Sequence, residues 1–455
     1  MAVWEVFEDA VLSELITSLP ANLFQQERWF ADRELDNHIM MVDSVLFRKP
    51  TIVSSVIALN LYKIKPCAEY HYYIPFLISQ SPNPEREAIF LKNGFYFYDA
   101  VPTYEYVSLL EQLFENQISF SASHGSFIFQ HYRDQKEPNL RLIGGTSNSL
   151  LFVIRNYLLK SYRRIYPGTN PELKISAALT KLGSNQIPEV YGSFKYQVQM
   201  EYTLGIIMEA VDNMGTGWER WGQLLKGSSG EAEEILLEDA LLLGKALGFL
   251  HRDLATIARE AGDYSELNWA DLDKRINRLI VDIRDDLTGI LELAPIISKL
   301  NSLKKQLSEE NLGAKFRIHG DLHLEQVIKT TNGWRILDFE GEPLKPITER
   351  ENCDSPLKDL ASMLRSISYR INGGETAERN CPEIEEQIKS RLVEGYLGSF
   401  REVKVDFLPD NDRFGHLLTL LQIERAVYEC LYESKYRPDW LWIPRTGLEK
   451  LVYCN

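Results

Sequence analysis

The chain has 455 residues, which allows two or three domains at roughly 150 residues each. Hydrophobic residues make up 44% of it and charged residues 25%, a balance that excludes a disordered, collagen-like or disulfide-stapled chain. Fifty Lys and Arg against 65 Asp and Glu leave a net charge of −15. So acidic a body repels phosphate backbones and anionic lipid, which argues against nucleic acid or a membrane surface as partner; an anionic substrate needs local cations or a metal. The five cysteines, Cys67, Cys353, Cys381, Cys430 and Cys454, are scattered with no Cys-x-x-Cys pair, so they read as reduced thiols. Residues 1–10 carry three acids where a signal peptide has a basic start, and no apolar run approaches the roughly 18 residues of a membrane span. The expected location is the cytoplasm.

In chain order, the spacing predicts a short amphipathic helix over 5–19, ended at Pro20. Strands are expected at 39–47, 54–62, 71–77 and 94–98, separated by proline-rich turns, and a helix at 104–116. Strands dominate again from 119 to 212, with a hairpin of 149–154 and 157–162, a helix over 171–182, and strands at 189–194 and 204–211. Residues 213–217 (Asn-Met-Gly-Thr-Gly) read as a linker. Helical periodicity follows at 231–260, 271–293, 357–371, 383–400 and 414–436. Strand-rich first and helix-rich later predicts an α+β fold with a lobe boundary near 212.

One non-helical island interrupts the helical half: Arg317-Ile318-His319-Gly320-Asp321-Leu322-His323-Leu324-Glu325-Gln326-Val327, then Trp334-Arg335-Ile336-Leu337-Asp338-Phe339-Glu340. Two apolar strands flank Asn332-Gly333, a strong short hairpin signal, so Asp321, Gln326 and Asp338 surround one tight hairpin. Phosphoryl transfer uses such a set: one carboxylate takes the acceptor hydroxyl proton, while a second carboxylate and an amide oxygen hold Mg²⁺. The competing reading is a solvated hairpin with incidental acids, against which the joint spacing of all three speaks. A second segment, His251-Arg252-Asp253-Leu254, spells the start of a protein-kinase catalytic loop. The position five after Asp253 is Ala258, so no metal ligand follows, and the segment reads as a coincidence on a helix surface.

A kinase also needs a cation for the nucleotide phosphates on a strand of its small lobe. Lys160, set in an apolar run, is either that cation or an edge-strand gatekeeper. The small-residue loop Gly144 to Ser149 can bring backbone N–H groups near phosphates or serve as a plain turn. Glu172 either pairs with Lys160 or favours its helix N-terminus.

These segments resemble bacterial maltokinases, a branch of the aminoglycoside-phosphotransferase-like kinase superfamily. Residues 158–173 are similar to the family's lysine strand and Pro-Gly-x-Asn-Pro-Glu helix start, and Ser147-Asn148-Ser149 to its phosphate loop. Residues 319–326 and 338–343 are similar to its metal region, 355–366 to a further run, and 426–433 with Arg437-Pro438-Asp439-Trp440 to its sugar-side helix and turn. The N-terminal match is loose, around residues 26–30. The family usually has Lys where this chain has Arg425, whose rigid fork changes donor geometry.

The resemblance implies a two-lobed protein-kinase-like fold with an N-terminal cap: residues 1–101 the cap, 102–212 the ATP-binding lobe, 213–455 the helical lobe. It implies ATP- and Mg²⁺-dependent phosphorylation of maltose at the anomeric hydroxyl, giving maltose 1-phosphate for α-glucan and glycogen synthesis. Asp321 becomes the catalytic base, Gln326 and Asp338 the metal ligands, and Lys160 (with Glu172 beside it) and Ser147 the phosphate contacts. Residues 208–211, with Glu209 and Val211, become the adenine hinge. His323, Glu340, Arg425, Tyr428 and Tyr432 fall on the sugar side, although the two tyrosines, four apart on one helix face, could equally face a core. A related kinase of glucosamine is the nearest rival, with Glu424, Glu429 and Glu433 supplying acids for an amino sugar. A binding-only pseudokinase should lack one of Lys160, Asp321, Gln326 and Asp338, and all four are present. The residues are silent on oligomeric state and on a glucan-metabolism enzyme as partner.

Overall fold

The computed structural model describes residues 3–27, 30, 38–49, 55–64, 71–132, 141–142, 149–154, 157–227, 230–308, 311–342, 345–373, 382–401 and 405–453. The chain forms two compact units, residues 1–177 with 189–211 and residues 178–188 with 212–455. Both helices and sheets are present, an α+β chain.

The first unit holds two antiparallel sheets. One runs in the order Glu5–Phe7, His38–Arg48, Ser55–Ile64, Phe76–Ser79, Phe95–Asp99, Phe90–Lys92, with Ser18–Pro20 on the second strand and His71–Tyr73 on the third. Its long strands read as nearly continuous apolar runs because both faces are covered. Along them Val45, Phe47, Ile57 and Leu59 enter one core, while Leu46, Ala58 and Tyr62 enter another, as the two-residue period of a strand requires. The second core is closed by the Ala10–Ile16 helix through Leu12, Leu15 and Ile16. The first core reaches the other sheet, ordered Arg141–Leu142, Ser149–Ile154, Tyr157–Tyr162, Glu201–Glu209, Val190–Gln197, Ser126–His131, Ser119–Ser121. Leu109, Leu110 and Leu113 of the Tyr104–Glu115 helix lie in that core with Phe129, Leu159 and Phe194.

Several expected elements are revised. The N-terminal helix is only Ala10–Ile16, because the Asp9 carboxylate caps the Leu12 N–H (3.0 Å) and Glu5–Phe7 pairs as a strand with Leu46 to Arg48. The strand expected at 71–77 is broken at Ile74-Pro75, as proline lacks the N–H a ladder needs. The helix expected at 271–293 ends at Asp286, where residues 287–292 turn with Gly289 at φ 86° before the Leu293–Gln306 helix begins.

The second unit is helical around one small hairpin, Val327–Thr330 with Gly333–Ile336. Thr330 opposes Gly333, so the loop residues are Thr331 and Asn332, one position before the expected pair. The supposed linker is fastened to this hairpin: Met214 N–H donates to Lys329 O (2.8 Å) and Lys329 N–H to Gly215 O (3.1 Å). Gly217 opens the next helix so close to the hairpin that a Cβ there would stand 2.8 Å from Val327 Cγ2 and 2.9 Å from Leu324 O. The Gly230–Ala261 helix supports the other side: its Asp239 carbonyl accepts the Trp334 Nε1–H (3.0 Å) and its Asp239 carboxylate meets Lys329 Nζ at 3.0 Å. Among the described residues no helix is long and apolar enough to cross a membrane.

Candidate active site

The loop carrying Asp321 is held from below by one buried carboxylate. Asp359, 1% exposed near the start of the Leu357–Asn372 helix, accepts the His319 N–H on Oδ2 and the Gly320 N–H on Oδ1, both at 2.9 Å. His251 reaches the same Oδ2 through Nε2 (3.3 Å). A carboxylate only accepts, so Nε2 carries a proton towards it, and Nδ1 lies 2.9 Å from the Tyr396 hydroxyl. Burial would raise the Asp359 carboxyl, but the hydrogen bond and charge of His251 and the loop donors outweigh it and hold the group below the usual carboxylate range. Gly320 adopts φ 87°, the left-handed backbone this turn needs. The His319 ring completes the loop: Nε2 donates to Leu337 O (2.8 Å), and Nδ1 accepts the Asp321 N–H (3.3 Å).

The hairpin brings the candidate metal ligands together. Leu337 N–H donates to Gln326 O (2.9 Å), which seats Gln326 beside Asp338, and Gln326 Nε2 donates to Asp338 Oδ2 at 2.9 Å. A Glu340 carboxylate oxygen lies within 4.8 Å of one of Asp338. Asp338 is one of four non-glycine residues at positive φ (67°) among the described residues, a conformation that costs about 1–3 kcal/mol and concentrates at functional sites. These are hard oxygen donors suited to Mg²⁺. Gln326 would present Oε1 by turning its carboxamide, a terminal torsion with two near-equivalent settings.

Beside this loop, Arg425 Nη2 lies 3.6 Å from Asp321 Oδ1 and its Nε 3.6 Å from Glu429 Oε1. Burial acts against the Arg425 charge, but Glu429 and Asp321 outweigh it and raise its pKa. His323 caps the short Leu324–Gln326 turn through Glu325 N–H (3.3 Å), and burial lowers its pKa against the pull of Asp321. Tyr428 and Tyr432, on the Asn411–Tyr436 helix, are 37% and 36% exposed, so they are not core residues. Arg425 lies 5.2 Å from the Tyr428 ring centre, and Arg437 5.4 Å from that of Tyr432. The three acids expected to serve an amino sugar are all engaged: Glu424 by Arg275 (2.6 Å), Glu429 by Arg365 (2.9 Å) and Glu433 by Arg437 (2.7 Å).

In the first unit, Lys160 is buried and donates to Glu172 Oε2 at 2.7 Å, and the Tyr162 hydroxyl meets the same oxygen at 2.6 Å. The pairing left open by the sequence is therefore made. Glu209 ends its strand with its N–H on Glu189 O (2.8 Å), and Val211 follows half-buried. Ser147 lies outside the described residues.

Two contributors escaped sequence reasoning. His251 is fully buried and Asp253 is 9% exposed, so that segment is not a helix surface. Asp359 stood in a family-like run without a role. The spacing of Asp359 on an apolar helix face offered a signal, since a charge there needs buried partners.

No family profile matches the chain. A glucosamine kinase from Mycolicibacterium smegmatis is 20% identical over 347 residues, 74% of this chain and 86% of that protein. One from Streptacidiphilus jiangxiensis is 24% identical over 140 residues, 30% of this chain and only 31% of that protein's length. Among solved structures, a glucosamine kinase in complex with glucosamine, ADP and inorganic phosphate shares 16% identity at TM-score 0.66, over 97% of this chain and 99% of that one. Another crystal form gives TM-score 0.66 at 15% identity, over 96% and 99%. The chain shares the fold of these glucosamine kinase structures. At these identities the likeness to the solved structures establishes architecture.

Proposed function

We propose that this chain is an ATP- and Mg²⁺-dependent sugar kinase, with glucosamine as its acceptor. The observation that carries the kinase reading is the loop and hairpin of the second unit, where Asp321 hangs from backbone fixed by Asp359 while Gln326 and Asp338 stand side by side. The acceptor rests on the two glucosamine kinase relatives and on the near full-length likeness to that enzyme's structures.

In this reading a sugar hydroxyl oxygen attacks the γ-phosphorus of ATP, the bond to the β-phosphate oxygen breaks, and ADP leaves. Asp321 aligns the hydroxyl and receives its proton, and Arg425 orients the Asp321 carboxylate. Lys160, steadied by Glu172, takes the nucleotide phosphates, and residues 208–211 read adenine. Gln326 and Asp338, with Glu340 near, would hold Mg²⁺, which offsets charge on the transferring phosphoryl group. His323 lies within the charge field of Asp321 and faces the acceptor with Arg425.

A second reading, maltose phosphorylated at its anomeric hydroxyl, is favoured by one observation. Tyr428 and Tyr432 expose rings one helical turn apart, a platform for the C–H faces of a disaccharide. A coupled ADP-release assay with glucosamine, maltose, glucose and kanamycin decides between them. We expect the largest kcat/KM for glucosamine; a larger value for maltose replaces the acceptor, and no ADP release with any sugar removes the kinase reading.

A further inference from the structure

A cavity of about 1320 Å³ opens among the helices of the second unit. Its wall is drawn from Leu293–Gln306, Leu357–Asn372, Pro382–Gly398, Asn411–Tyr436 and Trp442–Tyr453, and none of the site residues above lines it.

The wall is rich in donors. Lys299, Lys389, Lys450 and Arg365 line it together with the His416 imidazole, against one carboxylate, Glu386, among the described lining residues. Lys389 and Lys450 are partly spent on Glu385, at 2.6 and 3.2 Å. Lys299 is half-buried and makes no salt bridge among the described residues, and His416 shows no hydrogen bond there. Arg365 is 2% exposed and committed to Glu429: its Nε donates to Oε2 at 2.9 Å and its Nη2 lies 2.9 Å from the same oxygen. Between the cations the wall offers neutral hydroxyl and amide groups, Ser302, Ser390 and Gln422 among them. In a chain of net charge −15, a cation-lined cavity is a local reversal that an anion would recognise.

We infer that this cavity binds a phosphorylated sugar, its phosphate held by Lys299 and His416 and its hydroxyls by the serine and glutamine side chains. Such a site does not require the chain to be a kinase, so its failure would leave the acceptor assay above untouched, and the reverse.

The test is calorimetric titration of the full chain with glucose 1-phosphate, glucose and inorganic phosphate, each in the presence of saturating non-hydrolysable ATP analogue. We expect saturable binding of glucose 1-phosphate, none of glucose, and phosphate weaker by about tenfold or more. Lys299→Glu and His416→Glu, checked for unchanged melting, should each weaken glucose 1-phosphate by about tenfold. Absence of binding overturns the proposal. So do retention of full affinity in both variants, which would place the ligand elsewhere, and equal affinity for phosphate, which would reduce the site to one for simple anions.

Discussion

Asp321 is exposed enough to meet a substrate but is not free to swing. Its N–H is tied to His319 and its carboxylate faces Arg425, whose other carboxylate partner, Glu429, is itself fixed by Arg365. As the proposed base, a carboxylate placed this way would spend little on orientation at the moment of reaction. Asp321→Asn keeps the shape and removes the proton acceptor, so kcat should fall by about 10²- to 10⁴-fold, with ATP affinity in equilibrium binding unchanged. Turnover within tenfold of the parent would exclude Asp321 as base. Asp359 acts one step back, through the backbone. Asp359→Asn should lower the melting temperature and kcat together while leaving ATP affinity in place, because the amide cannot accept from His251 and two loop N–H groups as a carboxylate does. An unchanged kcat would show that the loop holds its shape without that charge. Neither His251 nor Asp359 could be paired from the sequence. Each sits on its own amphipathic helix, and only tertiary packing brings them to one oxygen.

At the scale of elements, the hairpin was legible because alternation and a turn dipeptide are local signals, and four of the five helices expected in the second unit because their apolar stripes repeat; the one expected at 271–293 was run past its end at Asp286, and the Leu293–Gln306 and Trp442–Tyr453 helices were missed. The N-terminal helix was overread, since Glu5–Phe7 is a strand only by virtue of a partner some forty residues away. The positive φ of Asp338 was invisible too, as nothing in its neighbours' identities demands it. That backbone state allows ligand and strain to be separated. Asp338→Gly accepts φ 67° without a Cβ penalty, so thermal stability should hold or rise while activity disappears at every Mg²⁺ concentration. Residual turnover rescued by high Mg²⁺ would mean that Gln326 and Glu340 suffice. A second element-scale device lies between the Leu357–Asn372 and Pro382–Gly398 helices. Burial would raise the Glu385 carboxyl, but Lys389, Ser368 and Lys450 outweigh it and hold it at about 2. Its folded pKa lies below the unfolded value of 4.5, so its contribution is complete above about pH 5 and is lost as pH falls towards 2. The shift corresponds to about 3 kcal/mol. Denaturant titrations from pH 6 to 3 should show a shallower loss of stability in Glu385→Gln than in the parent; equal slopes would place the acid sensitivity elsewhere.

For the whole molecule, the net charge of −15 acts on every substrate before any contact forms. The Debye length is about 30 Å at 0.01 M salt and about 8 Å at 0.15 M, so at low salt an approaching ligand meets the summed field and at high salt only its nearest charges. ATP carries negative charge and is repelled by that field. Raising salt across this range should therefore lower its apparent KM, by about two- to tenfold. A protonated amino sugar is attracted, so its KM should rise over the same range, whereas a neutral disaccharide should feel nothing. Salt dependence of the two KM values thus reports the acceptor's charge independently of which sugar turns over fastest. Opposite slopes for nucleotide and acceptor support the amino-sugar reading. A flat acceptor slope with a falling nucleotide KM points to a neutral sugar. A nucleotide KM that rises with salt would show that the cations around Lys160 outweigh the field of the whole chain.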